Sequence, residues 1–301
     1  MELFEQRKKL IDDLVGIVPG REIWSKIKGN RMILFCLLLL GTITLLAVFA
    51  PFISPYDPAE QNLTNRLQSP SMSHLMGTDY LGRDIFSRVL YGAQTSLFIA
   101  GAVVAVSLTF GVAAGSLAGY FGGWTDGAIS RVIDVLISFP GIILSLALIG
   151  VMGAGVFNLI LALSIVHWAS YARLTRGQVL TVKNNDYIAS SKLVGSSRMR
   201  IMIKHILPNS IAPVIVLATI DMGHVILAAA SLSFLGLGIP AYIPEWGSMI
   251  SLGKEYIRSA PYVILGPGLA ITLVVVLFSL LGDSLRDVLD PKKEEGELGN
   301  A

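Results

Sequence analysis

The sequence specifies an all-α integral membrane protein with six transmembrane helices. Three observations carry this. Only 15% of the 301 residues are charged and 53% are hydrophobic, where soluble domains carry roughly 25% charge. The charges are clustered, with none in 32–56, 89–125, 135–172 or 260–282. A further apolar region, 211–237, is broken only by Asp221 and His224. A span needs about 20 apolar residues, so the two longest uncharged stretches must each contain a turn.

Punctuation places the spans at 32–54, 97–120, 129–151, 155–173, 211–237 and 263–282. The segment GYFGGWTDG (119–127) separates the second from the third, and Gly153-Ala154-Gly155 turns between the third and fourth. Lys and Arg set the orientation. Residues 1–31 hold seven and residues 173–210, from the end of the fourth span to the fifth, hold seven, against three in 55–96 and two in 239–262. The resulting organisation is a cytoplasmic segment 1–31, a first span 32–54 and an extracytoplasmic loop 55–96. A five-helix core 97–287 follows, with a cytoplasmic loop 174–210, and then a tail 288–301. Both termini are expected in the cytoplasm of a prokaryotic plasma (inner) membrane protein, without a cleaved signal peptide.

Taken in order, residues 1–30 alternate charged and apolar positions. They read either as a helix on the membrane surface or as a topology signal alone. Cys36, the sole cysteine, excludes an intramolecular disulfide and a thiolate metal site. In 74–97, Asp79, Arg83, Asp84 and Arg88 alternate in sign between glycines, which suits a folded, self-paired cap over the span ends. In 186–208 a basic amphipathic helix precedes Gly195, where the chain can bend. Ile188, Leu193 and Val194 offer an apolar contact there. Ile201, Ile203 and Ile206 anchor the second part, while Arg198, Arg200 and Lys204 stay wet.

The sequence has no phosphate loop, no Gly-x-Ser-x-Gly elbow and no His-Glu-x-x-His site. Its polar segments are too short for a catalytic domain. An enzyme is excluded on this reading, and no cofactor is expected in the chain.

Three stretches carry a resemblance: HLMGTDYLGRDIFSRVLYGAQTSL (74–97), GYFGGWTDGAISRVIDVLISFPG (119–141) and DYIASSKLVGSSRMRIMIKHILPNSIAPV (186–214). SLSFLGLG (231–238), EWGSMI (245–250) and GDSLRDVLDP (282–291) extend it. Together they resemble the permease subunits of peptide/nickel-type ATP-binding-cassette importers. The resemblance implies a permease fold with a cytoplasmic coupling helix between spans four and five. It implies a homologous second permease, two cytoplasmic ATPase subunits that bind the ATP, and an extracytoplasmic substrate-binding protein. Membrane lipid is the remaining contact, and no nucleic acid is expected. The family loop reads Glu-Ala-Ala, three residues, Gly; here those positions are Ala189, Ser190, Ser191 and Gly195, so the glutamate is missing. The ATPase-docking residues implied are Tyr187, Ile188, Ala189, Leu193, Val194, Gly195 and Arg198.

Ionisable groups inside spans are costly and mark pathways. Here they are Asp134, His167, Asp221 and His224. Asp221 and His224 share a helix face, and imidazole with carboxylate suits nickel or a hydrogen-bonded structural pair; no firm metal site follows. The stretches LATIDMGHVIL (217–227) and ALSIVHWASYARL (162–174) resemble the nickel-type members, and Ala229 stands where peptide-type members commonly carry glutamate. The substrate expected is nickel or a metal chelate, with dipeptide or oligopeptide import as the alternative. An ion-coupled secondary transporter is the competing class.

Overall fold

The computed structural model describes residues 20–289, with side chains from residue 25 onward. The expected surface helix at 1–30 therefore falls largely outside the described residues, as does the tail from 290. Among the described residues every regular element is a helix, and the one β-bridge pairs Thr78 with Asp84. Helix α1 (Gly20–Gly29) leads through Asn30, whose side chain accepts the Met32 and Ile33 amides, into α2 (Arg31–Val48). A short α3 (Ala50–Ile53) and the cap follow, then α4 (Ile85–Phe121), α5 (Gly123–Ser138) and α6 (Gly141–Met152). Helix α7 (Val156–Lys183) ends in a hook made of α8 (Asp186–Leu193), α9 (Arg198–Ile201), a π turn (Met202–Ile206) and α10 (Leu207–Ser210). Helix α11 (Ala212–Phe234), α12 (Trp246–Gly253) and α13 (Tyr262–Leu289) complete the core.

Five of these helices, α2, α4, α7, α11 and α13, are long and apolar enough to cross a membrane. The expected third span is two helices, α5 and α6, bent by 92°. Pro140 is the physical reason. It restricts the residue before it to extended backbone, and Phe139 sits at φ −95°, ψ 142°. The pair still crosses the bundle. Gly111, Gly115 and Gly119 of α4 meet successive turns of α7 in ascending order, so α4 and α7 run parallel. The intervening pair must return the chain to the opposite end. Six crossings result, and both ends of the described chain lie at the end that carries the hook.

The α4–α7 contact is backbone against backbone. A Cβ added at Gly111 would lie 2.8 Å from the Trp168 carbonyl oxygen. One at Gly115 would lie 2.8 Å from Thr175 Cβ, and one at Gly119 would lie 2.9 Å from Val179 Cβ. Small residues at four-residue spacing allow this approach, which in lipid substitutes dispersion contact for a hydrophobic driving force.

Helix α4 starts at Ile85, twelve residues before the expected 97. At about 55 Å it is longer than a bilayer core, and its first turns belong to the cap. There Asp84 caps α4 through Ser87 N at 2.8 Å and binds His74 Nδ1 at 2.9 Å. Asp79 accepts Arg83 Nε at 2.7 Å, and Arg88 donates to the Pro58 carbonyl at 2.8 Å. Tyr262 and Trp246 tie the cap and α4 to the later helices through the carbonyls of Leu67 and Val89. Cys36 is buried in the main core.

Gly115→Val is expected to force α4 from α7. Overpacking costs about 1–3 kcal/mol when side chains can yield and more against backbone. Thermal unfolding in detergent should show a clear loss of stability, whereas Gly101→Ala, with nothing near its Cβ, should leave the midpoint unchanged.

Candidate functional site

Two sets of residues stand out, one at the hook and one at mid-bundle. Helix α8 stops in a complete Schellman turn. Ser196 N–H reaches the Ser191 carbonyl at 3.2 Å and Gly195 N–H reaches the Lys192 carbonyl at 3.0 Å. Gly195 takes φ +84°, a left-handed conformation that costs L-residues roughly 1–2 kcal/mol. Nothing lies within 4 Å of a Cβ built there, so backbone strain alone selects glycine. Ser197 then caps α9 through Arg200 N–H. The π turn precedes Pro208: Leu207 N–H bonds back to Met202 O, five residues away, where proline denies the α-helical pattern its next donor.

The hook is seated on a small core of its own. Ile188, Ile201 and Ile206 are buried with Tyr120 of α4 and Val179 and Val182 of α7, and Tyr187 and Met202 pack against them. Lys183 Nζ donates to the Tyr120 carbonyl at 2.6 Å. Ile188, expected on the docking face, is fully buried and faces inward, because the spacing that puts it on one side of α8 puts Leu193 and Val194 on the other. Ile203, expected as an anchor, is exposed, while Ile201 and Ile206 do anchor. Leu193 and Val194 are 89% and 87% exposed. Ala189, Gly195 and Arg198 share that exposed surface, and Met199 adds an apolar side chain that the sequence reading did not single out. Tyr187 is half-buried and its hydroxyl accepts a hydrogen bond from Asn209.

At mid-bundle, Asp221 of α11 is buried between two imidazoles. Its Oδ1 lies 3.3 Å from His224 Nδ1 and its Oδ2 lies 3.7 Å from His167 Nδ1 of α7. Tyr171, one turn beyond His167, is fully buried. Its hydroxyl faces the Asp221 carboxylate without completing a hydrogen bond within the geometric limits. His167 and His224 border a cavity of about 300 Å³ with Ser145, Leu163, Leu227 and Ser231.

Asp134 does not join them. It is exposed on α5 and pairs with Arg173 Nη2 at 2.7 Å. A turn away, Arg176 grips Asp126 with Nε at 2.5 Å and Nη2 at 2.7 Å. These two pairs strap α5 to α7, so Asp134 acts in helix pairing rather than beside His167 and Asp221. The sequence reading missed Asp126, Arg176 and Tyr171, since each acquires its partner only from another helix. Both imidazoles turn Nδ1 to one carboxylate, and among the described residues no group of three or more His, Cys, Asp or Glu could hold a metal ion.

Comparison with known proteins decides the family. Residues 111–295 match the family described as binding-protein-dependent transport system inner membrane component. The chain belongs to that family. Residues 19–70 also match the N-terminal transmembrane domain of oligopeptide transport permease C. The chain is 43% identical to the dipeptide transport system permease protein DppC of Alkalihalophilus pseudofirmus, over 93% of this chain and 92% of that one. It is 41% identical to the glutathione transport system permease protein GsiD of Escherichia coli O157:H7, over 97% and 99%. It is also 41% identical to the di/tripeptide transport system permease protein DppC of Pseudomonas aeruginosa, over 93% and 94%. Among solved structures, an inward-facing MetNI methionine ABC transporter shares the fold, with TM-score 0.55 at 20% identity over 68% of this chain and 98% of that one.

This binding-protein-dependent permease is therefore a multi-pass inner-membrane, non-catalytic subunit of an ABC importer. Its family works with a second permease, with ATPases that bind the ATP, and with a binding protein. The relatives named here carry peptides or glutathione in their names, which favours the peptide alternative over nickel.

Arg176→Ala is expected to release the two-point grip on Asp126 and to lower the thermal midpoint. Hydrogen bonds to charged groups are worth roughly 1.5–3 kcal/mol each when protected, discounted here because the pair is partly exposed. Arg176→Lys should recover only part of the loss, since a single ammonium does not reproduce a fork. Arg173→Ala, at an exposed pair, should change the midpoint little.

Proposed function

We propose that this permease carries short peptides across the cytoplasmic membrane as one half of a heterodimer. A homologous second permease supplies the other half, two ATPase subunits bind at the hook, and an extracytoplasmic binding protein delivers the peptide to the cap. In this arrangement the hook and both termini are cytoplasmic. The observation that carries the reading is end-to-end similarity, at 41–43% identity, to permeases named for dipeptides, di/tripeptides and glutathione. The distribution of Lys and Arg supports the orientation, because residues 1–31 and 173–210 hold seven basic residues each, against three in 55–96 and two in 239–262.

The hook performs the coupling in this reading. Leu193 and Val194 present apolar surface to water, which marks a partner site. The missing family carboxylate at Ala189 leaves the contact to these side chains and to the Gly195 bend. Because Ile188, Ile201 and Ile206 fix the hook to α4 and α7, ATPase closure moves those helices as a rigid body.

Replacing both Leu193 and Val194 by aspartate should weaken ATPase association about tenfold or more, read by co-purification, with the thermal midpoint of the permease unchanged. Uptake of labelled dialanine should require the chain and stop with the double variant. Chain-dependent uptake of radioactive nickel without dialanine uptake would overturn the peptide reading.

A further inference from the structure

The mid-bundle cluster has a chemistry that helix packing alone does not explain. The Asp221 carboxylate accepts hydrogen bonds, so His224, whose Nδ1 lies 3.3 Å from it, faces it with a protonated Nδ1, while His167 Nδ1 stands at 3.7 Å. In a neutral imidazole that leaves Nε2, across the ring, as an acceptor. The carboxylate thereby fixes that tautomer in His224, and His167 turns the same ring nitrogen toward it at longer range. His167 and His224 both border the cavity, and His224 is exposed. The pair therefore offers acceptors on a surface with a net negative charge behind it.

The cavity's other groups are complementary. Ile142, Leu163, Leu227 and Leu232 form apolar walls, and its lining contains no Lys or Arg. Arg173, further along α7, is held by Asp134. A volume of about 300 Å³ is at the small end of ligand cavities. Tyr171 adds a fully buried hydroxyl beside Asp221 whose hydrogen bonding is incomplete.

We infer that this cavity is a subsite for the protonated α-amino group of a peptide in transit. His167 and His224 accept its N–H donors, and Asp221 positions both rings and supplies the countercharge. The inference rests on the peptide reading and adds the chemical group that is recognised. A cationic donor fits two ring acceptors backed by a carboxylate, and an anionic group such as the peptide carboxylate does not.

The binding protein has its own preference for substrate, so the test omits it. The complete transporter, with both permeases and the ATPases but no binding protein, is placed in nanodiscs. Binding of dialanine and of N-acetyl-dialanine is read by saturation-transfer NMR. Dialanine should bind saturably, and N-acetyl-dialanine at least about tenfold more weakly. Asp221→Asn and His224→Phe should each reduce the dialanine signal about tenfold and abolish the discrimination. His224 is exposed, so its variant leaves the fold intact even if Asp221→Asn disturbs packing. Equal binding of the two peptides, no dialanine binding, or dialanine binding unaffected by His224→Phe would overturn the inference. Tight binding of nickel ion that His224→Phe removes would overturn it too, in favour of a metal site. Dialanine uptake with the binding protein restored tests the peptide reading separately, so the two can fail independently.

Discussion

The close approach of α4 to α7 is the constraint on which the rest of the molecule depends. Three glycines at four-residue spacing let the two backbones touch, and in lipid such contact is a main source of helix association. This spacing brings Tyr120 beside Val179 and Val182, and those residues form the socket for Ile188, Ile201 and Ile206. It also lets Lys183 reach the Tyr120 carbonyl. The hook is therefore seated on both α4 and α7.

Helix α7 carries a second duty on its other side. His167 and Tyr171 face α11, where Asp221 and His224 sit. The helix that seats the hook thus also lines the mid-bundle cavity. The Asp126–Arg176 and Asp134–Arg173 pairs add α5 to the same unit. Under the proposed function, coupling and pathway share one element, a direct physical route from ATPase closure to a change in the cavity.

Much of this was legible in the sequence, for identifiable reasons. Charge-free runs marked the apolar helices long enough to cross a membrane, while the Lys and Arg distribution gives only an expectation of which side the hook and termini face. Gly195 was legible because a left-handed cap demands glycine. The broken third span was not read, although Pro140 was visible, because an apolar run hides a bend when no charge marks it. The orientation of Ile188 was not read because an eight-residue helix with apolar residues on two sides has no single apolar face. Asp134 was grouped with Asp221 because both are carboxylates at span depth. Only tertiary structure shows that one strap and one cavity lie on different helices. Nickel was inferred from an imidazole–carboxylate pattern, from the resemblance of 162–174 and 217–227 to nickel-type members and from Ala229, whereas the relatives are named for peptides and glutathione.

The central claim, that the exposed end of α8 inserts into an ATPase while its other side is locked to the permease, is tested most directly by site-specific cross-linking. Cys36 is the sole cysteine and is buried, so the background is low. In the assembled transporter, Val194→Cys should cross-link to an ATPase subunit, and Ile188→Cys should not. Cross-linking at 188 with none at 194, in a transporter that still couples ATP hydrolysis to uptake, would contradict the account.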